Sequence, residues 1–332
     1  MGGANGVGGV EAAHCEFADR VREQVARTVV GQETVVERVL IALLTGGHLL
    51  LEGVPGIAKT LMVQAVAKAI HLQFARVQFT IDLLPGDILG SEVLDQKSGE
   101  FRVHKGPIFT NLFLADEINR ASPKVQSALL EAMQERRVSI GTVTHDLPAP
   151  FLVIATQNPV EQAGTFELPE AQLDRFMLRH RLTYPTPEGE AEVVRRSLTL
   201  GLKRKGDGAV PMSAFDAIDD GRKLGLSDLT SAMERVQSVH VSEVFIRDCV
   251  ELVNLTRKHE DIELGCSPRA ALALVHASRA RAYIHGRAYT IPEDLFALAE
   301  DVVLHRMRLR YAALAEGRSS TQVLRELLDT MA

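Results

Sequence analysis

Residues 49–70, LLLEGVPGIAKTLMVQAVAKAI, pass from an uninterrupted apolar run through a short glycine-containing loop into a Lys-Thr pair that opens a helical pattern. A strand apolar on both faces that feeds a helix so abruptly belongs in a covered sheet, which commits this part of the chain to an α/β arrangement. The stretch follows the phosphate-loop pattern G-x-x-x-x-G-K-[ST] except at Ala58, where glycine is expected before the lysine. Gly53 and Gly56 still let the backbone turn tightly and approach a phosphate. The helix that follows offers free N–H groups and the positive end of its dipole. The segment Gly53, Val54, Pro55, Gly56, Ile57, Ala58, Lys59, Thr60 and Leu61 is therefore a candidate phosphate cradle. Lys59 suits the terminal phosphates and the Thr60 hydroxyl suits Mg2+. If position 58 adopts a left-handed conformation, alanine costs about 1–2 kcal/mol there, which is small beside a lysine and several amides acting on a triphosphate.

Three further apolar runs, ARVQFT (75–80), NLFLADE (111–117) and FLVIATQN (151–158), also end in polar residues. Between them lie helical patterns. In a doubly wound parallel sheet such strand ends converge on one ligand crevice. Asp116 and Glu117 end the third run: an aspartate there can bind magnesium, and the next glutamate can polarise an attacking water. Gln157 and Asn158 end the fourth, where Asn158 can orient that water or meet a γ-phosphate. Each feature also has a plain structural explanation, an acidic pair capping the next helix or an asparagine in a turn before Pro159. Their conjunction with Lys59-Thr60 favours a shared ligand.

Ser122 and Pro123 are suited to cap and open a helix in which Val125, Ala128, Leu129, Ala132 and Met133 share one face. Residues 11–45 read as two helical segments broken at Val30-Gly31. Residues 80–107 form an insertion, and 136–147 read as a strand–turn–strand hairpin bent at Gly141-Thr142. Beyond TYPTPEGE (183–190) the strand pattern stops. Helices alone are expected at roughly 186–200, 227–236, 242–258, 268–285, 292–310 and 319–331, with a loop at 201–210. The resulting division is a glycine-rich disordered tail (1–10), an α/β core (11–184) and a helical lid (185–332). A chain of 332 residues suits two domains.

The net charge is −6, and neither half of the chain is basic, so nucleic-acid binding gains no global electrostatic support. Three cysteines without a C-x-x-C pair point to a reducing, cytoplasmic setting without structural zinc. No apolar run is long enough to insert in a membrane, and MGGANGVGGV lacks the layout of a signal peptide.

Together GVPGIAKT, LADEINRASPKVQSALLEAMQERRV, ATQNP and LPEAQLDRFM resemble the MoxR family of AAA+ ATPases, from about residue 28 to the C-terminus. Alanine before the loop lysine is usual in that family. The resemblance implies an AAA+ P-loop core with a helix-2 insert (80–107) and a pre-sensor-1 hairpin (136–147), followed by an all-α lid. It implies ATP and Mg2+ as cofactors. Lys59 and Thr60 correspond to Walker A, Asp116 and Glu117 to Walker B, and Asn158 to sensor 1, while Val30 and Gly31 fall where adenine is met. Arg175, in QLDRF, matches the arginine finger that reaches a neighbouring subunit's nucleotide, and Arg269, in CSPRAAL, matches sensor 2 of the lid. Ser267 and Pro268 put Arg269 in the first turn of a helix, against the dipole, a conflict that a nearby anion would ease. The family implies a homo-oligomeric, hexameric ring that remodels or matures client proteins, or assists metal insertion, with a partner carrying a von Willebrand factor A domain. Competing readings are a chelatase-type motor subunit, a nucleic-acid motor, and a nucleotide-gated binding module that hydrolyses little.

Overall fold

The computed structural model describes residues 8–54, 59–97, 99–159, 164–214, 216 and 224–331. The expected tail lies outside the described residues up to position 7. Residues 8–10 already belong to α1 (Gly8–Ala26), which leads to α2 (Glu33–Thr45). The break between these helices contains Gly31, whose φ of 68° places it in the left-handed region that favours glycine.

Next come β1 (Leu49–Glu52), α3 (Lys59–Ala69) and β2 (Phe74–Gln78). The insertion contains α4 (Pro85–Leu89) and an antiparallel pair, β3 (Gly90–Leu94) and β4 (Phe101–Lys105). The core continues with β5 (Leu112–Asp116), α5 (Pro123–Glu135), the hairpin β6 (Arg137–Ile140) and β7 (Val143–Asp146), then β8 (Leu152–Gln157), α6 (Glu170–Leu173) and β9 (Leu178–Arg181). Ser122 does precede α5 and Pro123 opens it, but the serine side chain makes no capping hydrogen bond.

The sheet is parallel throughout, in the order β2-β5-β8-β1-β9. Its three inner strands are almost wholly buried, as their unbroken apolar runs require. The outer strands are not, and β9 (LRHR) has no apolar run at all. That is why a fifth strand was missing from the sequence reading: an edge strand buries one side only, and here arginines serve as its anchors. Two apolar clusters cover the sheet. One gathers α5 with Ile88 of α4 and residues of the β6–β7 hairpin. The other gathers α1, α2 and α3 with C-terminal helices.

The C-terminal region holds α7 (Pro187–Thr199), β10 (Leu202–Lys205), β11 (Gly208–Pro211), α8 (Leu226–Ser238), α9 (Glu243–Lys258), β12 (Ile262–Leu264), α10 (Pro268–Ile284), α11 (Pro292–Val303), β13 (Arg308–Leu309), α12 (Tyr311–Ala315) and α13 (Ser320–Asp329). It is helical in the main, but the expectation of helices alone needs two corrections. Residues 201–210, read as a loop, form most of the antiparallel hairpin β10–β11. The helix expected over 292–310 ends at Val303, passes through a 3-10 turn (Leu304–Arg306) and continues as β13, which pairs with β12. The hairpin strands are exposed on both faces, so they carry no burial alternation to read. Two-residue β13 is shorter than any periodicity can reveal. Among the described residues no helix is long and apolar enough to cross a membrane.

Candidate active site at the strand tips

The C-terminal ends of β1, β5 and β8 bring the charged residues together. Pro55, Gly56, Ile57 and Ala58 lie outside the described residues, and Gly53, Val54, Lys59, Thr60 and Leu61 flank them. Lys59 opens α3, and its Nζ donates to the Gly53 carbonyl at 2.7 Å. Burial pushes the Lys59 ammonium below its ordinary pKa, against the opposing pull of Asp116, Glu117 and Glu52. Lys59 is thus a half-buried cation beside three carboxylates.

Thr60 Oγ1 donates to Asp116 Oδ2 across 3.4 Å. Asp116 Oδ1 accepts from Thr156 Oγ1 at 2.6 Å, and the same hydroxyl accepts the Glu117 N–H at 2.8 Å. One buried threonine thus fixes both acidic residues. Arg76 also reaches Asp116 Oδ2, with Nη2 at 2.7 Å and Nε at 3.0 Å. The two hard oxygens of Thr60 and Asp116 fit Mg2+, which takes few protein ligands and is carried largely by substrate phosphates. Among the described residues no cluster of three or more His, Cys, Asp or Glu side chains is suited to a metal.

Glu117 adopts φ 57° and ψ 51°, a left-handed conformation costly for a residue with a Cβ. Its Oε2 accepts from Gln78 Nε2 at 2.8 Å and pairs with Arg120 Nε at 2.8 Å. Gln78 at the tip of β2 and Arg120 in the following turn hold the carboxylate. Thr156, Arg76, Gln78 and Arg120 escaped the sequence reading. Their only signal was position: each lies at or near a strand tip that the apolar runs had already located.

Val30 and Leu61 line a cavity of about 610 Å³ between the α1–α2 break, the start of α3 and α7. Its apolar walls, with Val29, Val193 and Leu200, can take a flat base. Asn158 is buried at the end of β8 and lines a second, 280 Å³ cavity with Glu52, Gln157 and Arg179.

The two remaining arginines lie near each other in the chain's packing. Arg175 follows α6, is half-buried, and makes no side-chain hydrogen bond or ion pair with the described residues; the structure does not pair it with Asp174. Asp174 instead binds Arg306 Nε at 2.8 Å, Ser267 Oγ at 3.0 Å and Arg269 Nη1 at 3.4 Å. Ser267 caps α10 by accepting from the Arg269 N–H at 3.2 Å. Asp174 is thus the anion beside Arg269 that offsets its position against the helix dipole. Arg306, almost wholly buried, also donates to the carbonyls of Asp174, Phe176 and Met177 and so stiffens the segment bearing Arg175. Nothing in the run LHRMRLR singles Arg306 out.

Residues 48–178 match the profile of the ATPase family associated with various cellular activities (AAA), and residues 254–327 match the AAA lid domain. Chaperone MoxR1 of Mycobacterium tuberculosis is 43% identical over 340 residues, covering 100% of this chain and 85% of that one. MoxR of Methylorubrum extorquens is 31% identical over 89% of this chain and 88% of its own length. A solved structure of a Cytophaga hutchinsonii protein assigned as an ATPase superposes with a TM-score of 0.83 at 42% identity, covering 96% of both chains. With a phosphate loop, paired strand-tip acids and relatives matched nearly end to end, the chain belongs to the MoxR family of AAA+ ATPases.

Proposed function

We propose that this chain binds ATP at the strand tips and, in a hexameric ring, couples hydrolysis to the remodelling or maturation of partner proteins. The observation that carries the reading is the bonded network of Thr60, Asp116, Thr156 and Glu117 with Lys59 within electrostatic reach of both acids. Lys59 and the amides of residues 53–61 bind the phosphates, and the base occupies the cavity beside Val30, Gly31 and Leu61. Mg2+ at Thr60 and Asp116 would neutralise charge on the phosphate oxygens. Glu117 accepts the proton of the attacking water, with Gln78 and Arg120 setting its direction, and Asn158 orients that water. Arg175, without a partner among the described residues of its own subunit, serves the nucleotide of the next one. Arg269 shares Asp174 with the Arg175 segment, which supports action in trans for both.

The chaperone named among the relatives supports protein remodelling; cofactor insertion and a von Willebrand factor A domain partner are the finer readings proposed. Glu117→Gln is expected to bind ATP normally while turnover falls by about 100-fold or more; undiminished turnover overturns the assignment. Lys59→Ala is expected to lose ATP binding in titration calorimetry. A pull-down on the Glu117→Gln protein loaded with ATP tests the partner, with a von Willebrand A domain protein as the expected capture.

A further inference from the structure

β1 ends on Glu52, immediately before the phosphate loop, and no step of the proposed hydrolysis uses it. The residue is 4% exposed, a burial that a carboxylate tolerates only when paired and hydrogen-bonded. Arg179 grips it through Nη2, 2.8 Å from Oε1 and 2.7 Å from Oε2, and through Nε, 3.1 Å from Oε2. Arg181 Nε adds a contact at 3.0 Å and Gln157 Nε2 one at 3.2 Å. Burial alone would raise the Glu52 carboxyl, but the hydrogen bonds and charges of the two arginines outweigh it and hold it below the usual carboxylate range.

The partners of Glu52 lie on two lines of contacts, one leading to the phosphate loop and one to Arg175. On one line, the Gln157 carbonyl accepts the Gly53 N–H at 3.2 Å, and the Gly53 carbonyl accepts from Lys59 at 2.7 Å. A change in what Lys59 binds is felt first at Gly53 and then at Gln157 and Glu52. On the other line, Arg179 lies four residues after Arg175. The intervening backbone is pinned by Arg306 and anchored by Phe176, which is fully buried, so a displacement of Arg179 is passed on to Arg175. The 280 Å³ cavity walled by Glu52, Gln157, Asn158 and Arg179 gives these side chains room to shift together.

We propose that Glu52 is a positioning residue that couples the state of a subunit's own phosphate loop to the placement of the Arg175 it offers the next subunit. This rests on the reading of Arg175 as acting in trans. Glutamine at position 52 keeps the shape and one acceptor but leaves Arg179 and Arg181 without their counter-charge.

In homomeric Glu52→Gln protein, ATP affinity stays within about twofold of wild type, while turnover of the assembled oligomer falls about 10- to 100-fold, the size of loss that a small misplacement of a catalytic group produces. The deciding experiment co-assembles Glu52→Gln with Glu117→Gln subunits, with mixing verified by native mass spectrometry. The Glu52→Gln subunits keep Glu117 and receive Arg175 from a neighbour whose Glu52 is intact, so their turnover is expected to recover. A control mixes Arg175→Ala with Glu117→Gln. If the control recovers and the Glu52→Gln mixture does not, the defect lies in the subunit's own site and the coupling is overturned, while the trans reading stands. If neither recovers, the trans reading fails and the coupling with it. Should Glu52→Gln not fold, Arg179→Lys keeps the charge and loses the fork. The same pattern is expected of it, and undiminished turnover in its homomer overturns the proposal.

Discussion

Asp294, in the first turn of α11, and Asp116, at the end of β5, are both buried carboxylates beside arginines, yet they are satisfied differently. Asp294 is fully buried and receives Arg281 Nη1 at 2.6 Å, Arg287 Nη2 at 2.6 Å, Arg287 Nη1 at 2.7 Å and the Ile291 N–H at 3.0 Å. Around it Glu37 meets Arg38, Arg281 and His285, and Asp301 meets Arg38 and His180, so that a closed lattice ties α2 and β9 to α10 and α11. Asp116 takes one short bond from Thr156 and a long one from Thr60, and its arginine, Arg76, has a side chain 44% exposed. The arginines of Asp294 are 19% and 21% exposed, whereas Asp116 faces a crevice and its arginine stands more open to solvent. Both carboxylates accept four hydrogen bonds, so burial and pairing of charge alone do not locate chemistry, whereas a strand-tip position with a solvent-exposed arginine does.

The largest expected effect breaks the closed network. Asp294→Ala strands two arginines and is expected to cost about 3–5 kcal/mol in denaturant unfolding. Asp116→Asn, which keeps its bond from Thr156, is expected to cost about 1 kcal/mol while metal-dependent ATP turnover disappears. If the two variants lose equal stability, the distinction between closed and open carboxylates fails.

The sequence made the open network legible and hid the closed one. Apolar runs ending in Asp-Glu or Gln-Asn announce strand tips, because an inner parallel strand must be apolar until it leaves the sheet. Asp294 gave no such signal, since P-E-D at the start of a helix is ordinary dipole and capping chemistry and its arginines come from a helix and a turn that only folding brings near. Arg306 and Glu52 were hidden for the same reason. The β10–β11 hairpin was hidden for another: exposed on both faces, its residues had no apolar face to alternate against.

His48 extends the comparison to the opposite end of the sheet. It is buried, accepts the Val153 N–H on Nδ1 at 3.0 Å and donates from Nε2 to the Met133 carbonyl at 3.1 Å, which fixes the neutral form. Burial pushes its pKa down from 6.5 to about 4. Because the folded value lies below the unfolded one, its contribution is whole above pH 6.5 and is lost as the pH falls towards 4, amounting to about 3 kcal/mol. Unfolding free energies measured across that window should fall for the wild type and flatten for His48→Asn. An equal slope in both would show that the closed site does not resist protonation.

The smallest effects sharpen the contrast within one chemical group. Thr156 and Ser278 are both fully buried hydroxyl residues, one at the strand tips and one in α10. The Thr156 hydroxyl makes two bonds that orient both acids, whereas the Ser278 hydroxyl makes none with the described residues. Thr156→Val leaves the Glu117 N–H without its acceptor, at a cost of about 1–3 kcal/mol, and loosens the backbone that carries Glu117 as well as the bond to Asp116, so turnover should fall with it. Ser278→Ala removes a polar atom that gains nothing from burial and should be neutral or stabilising by up to about 1 kcal/mol, with ATP turnover unchanged. The two measurements together separate a hydroxyl that the fold merely tolerates from one on which the chemistry depends. A destabilising Ser278→Ala would mean that this hydroxyl has a partner in solution and that the closed region is less complete than its ion pairs imply.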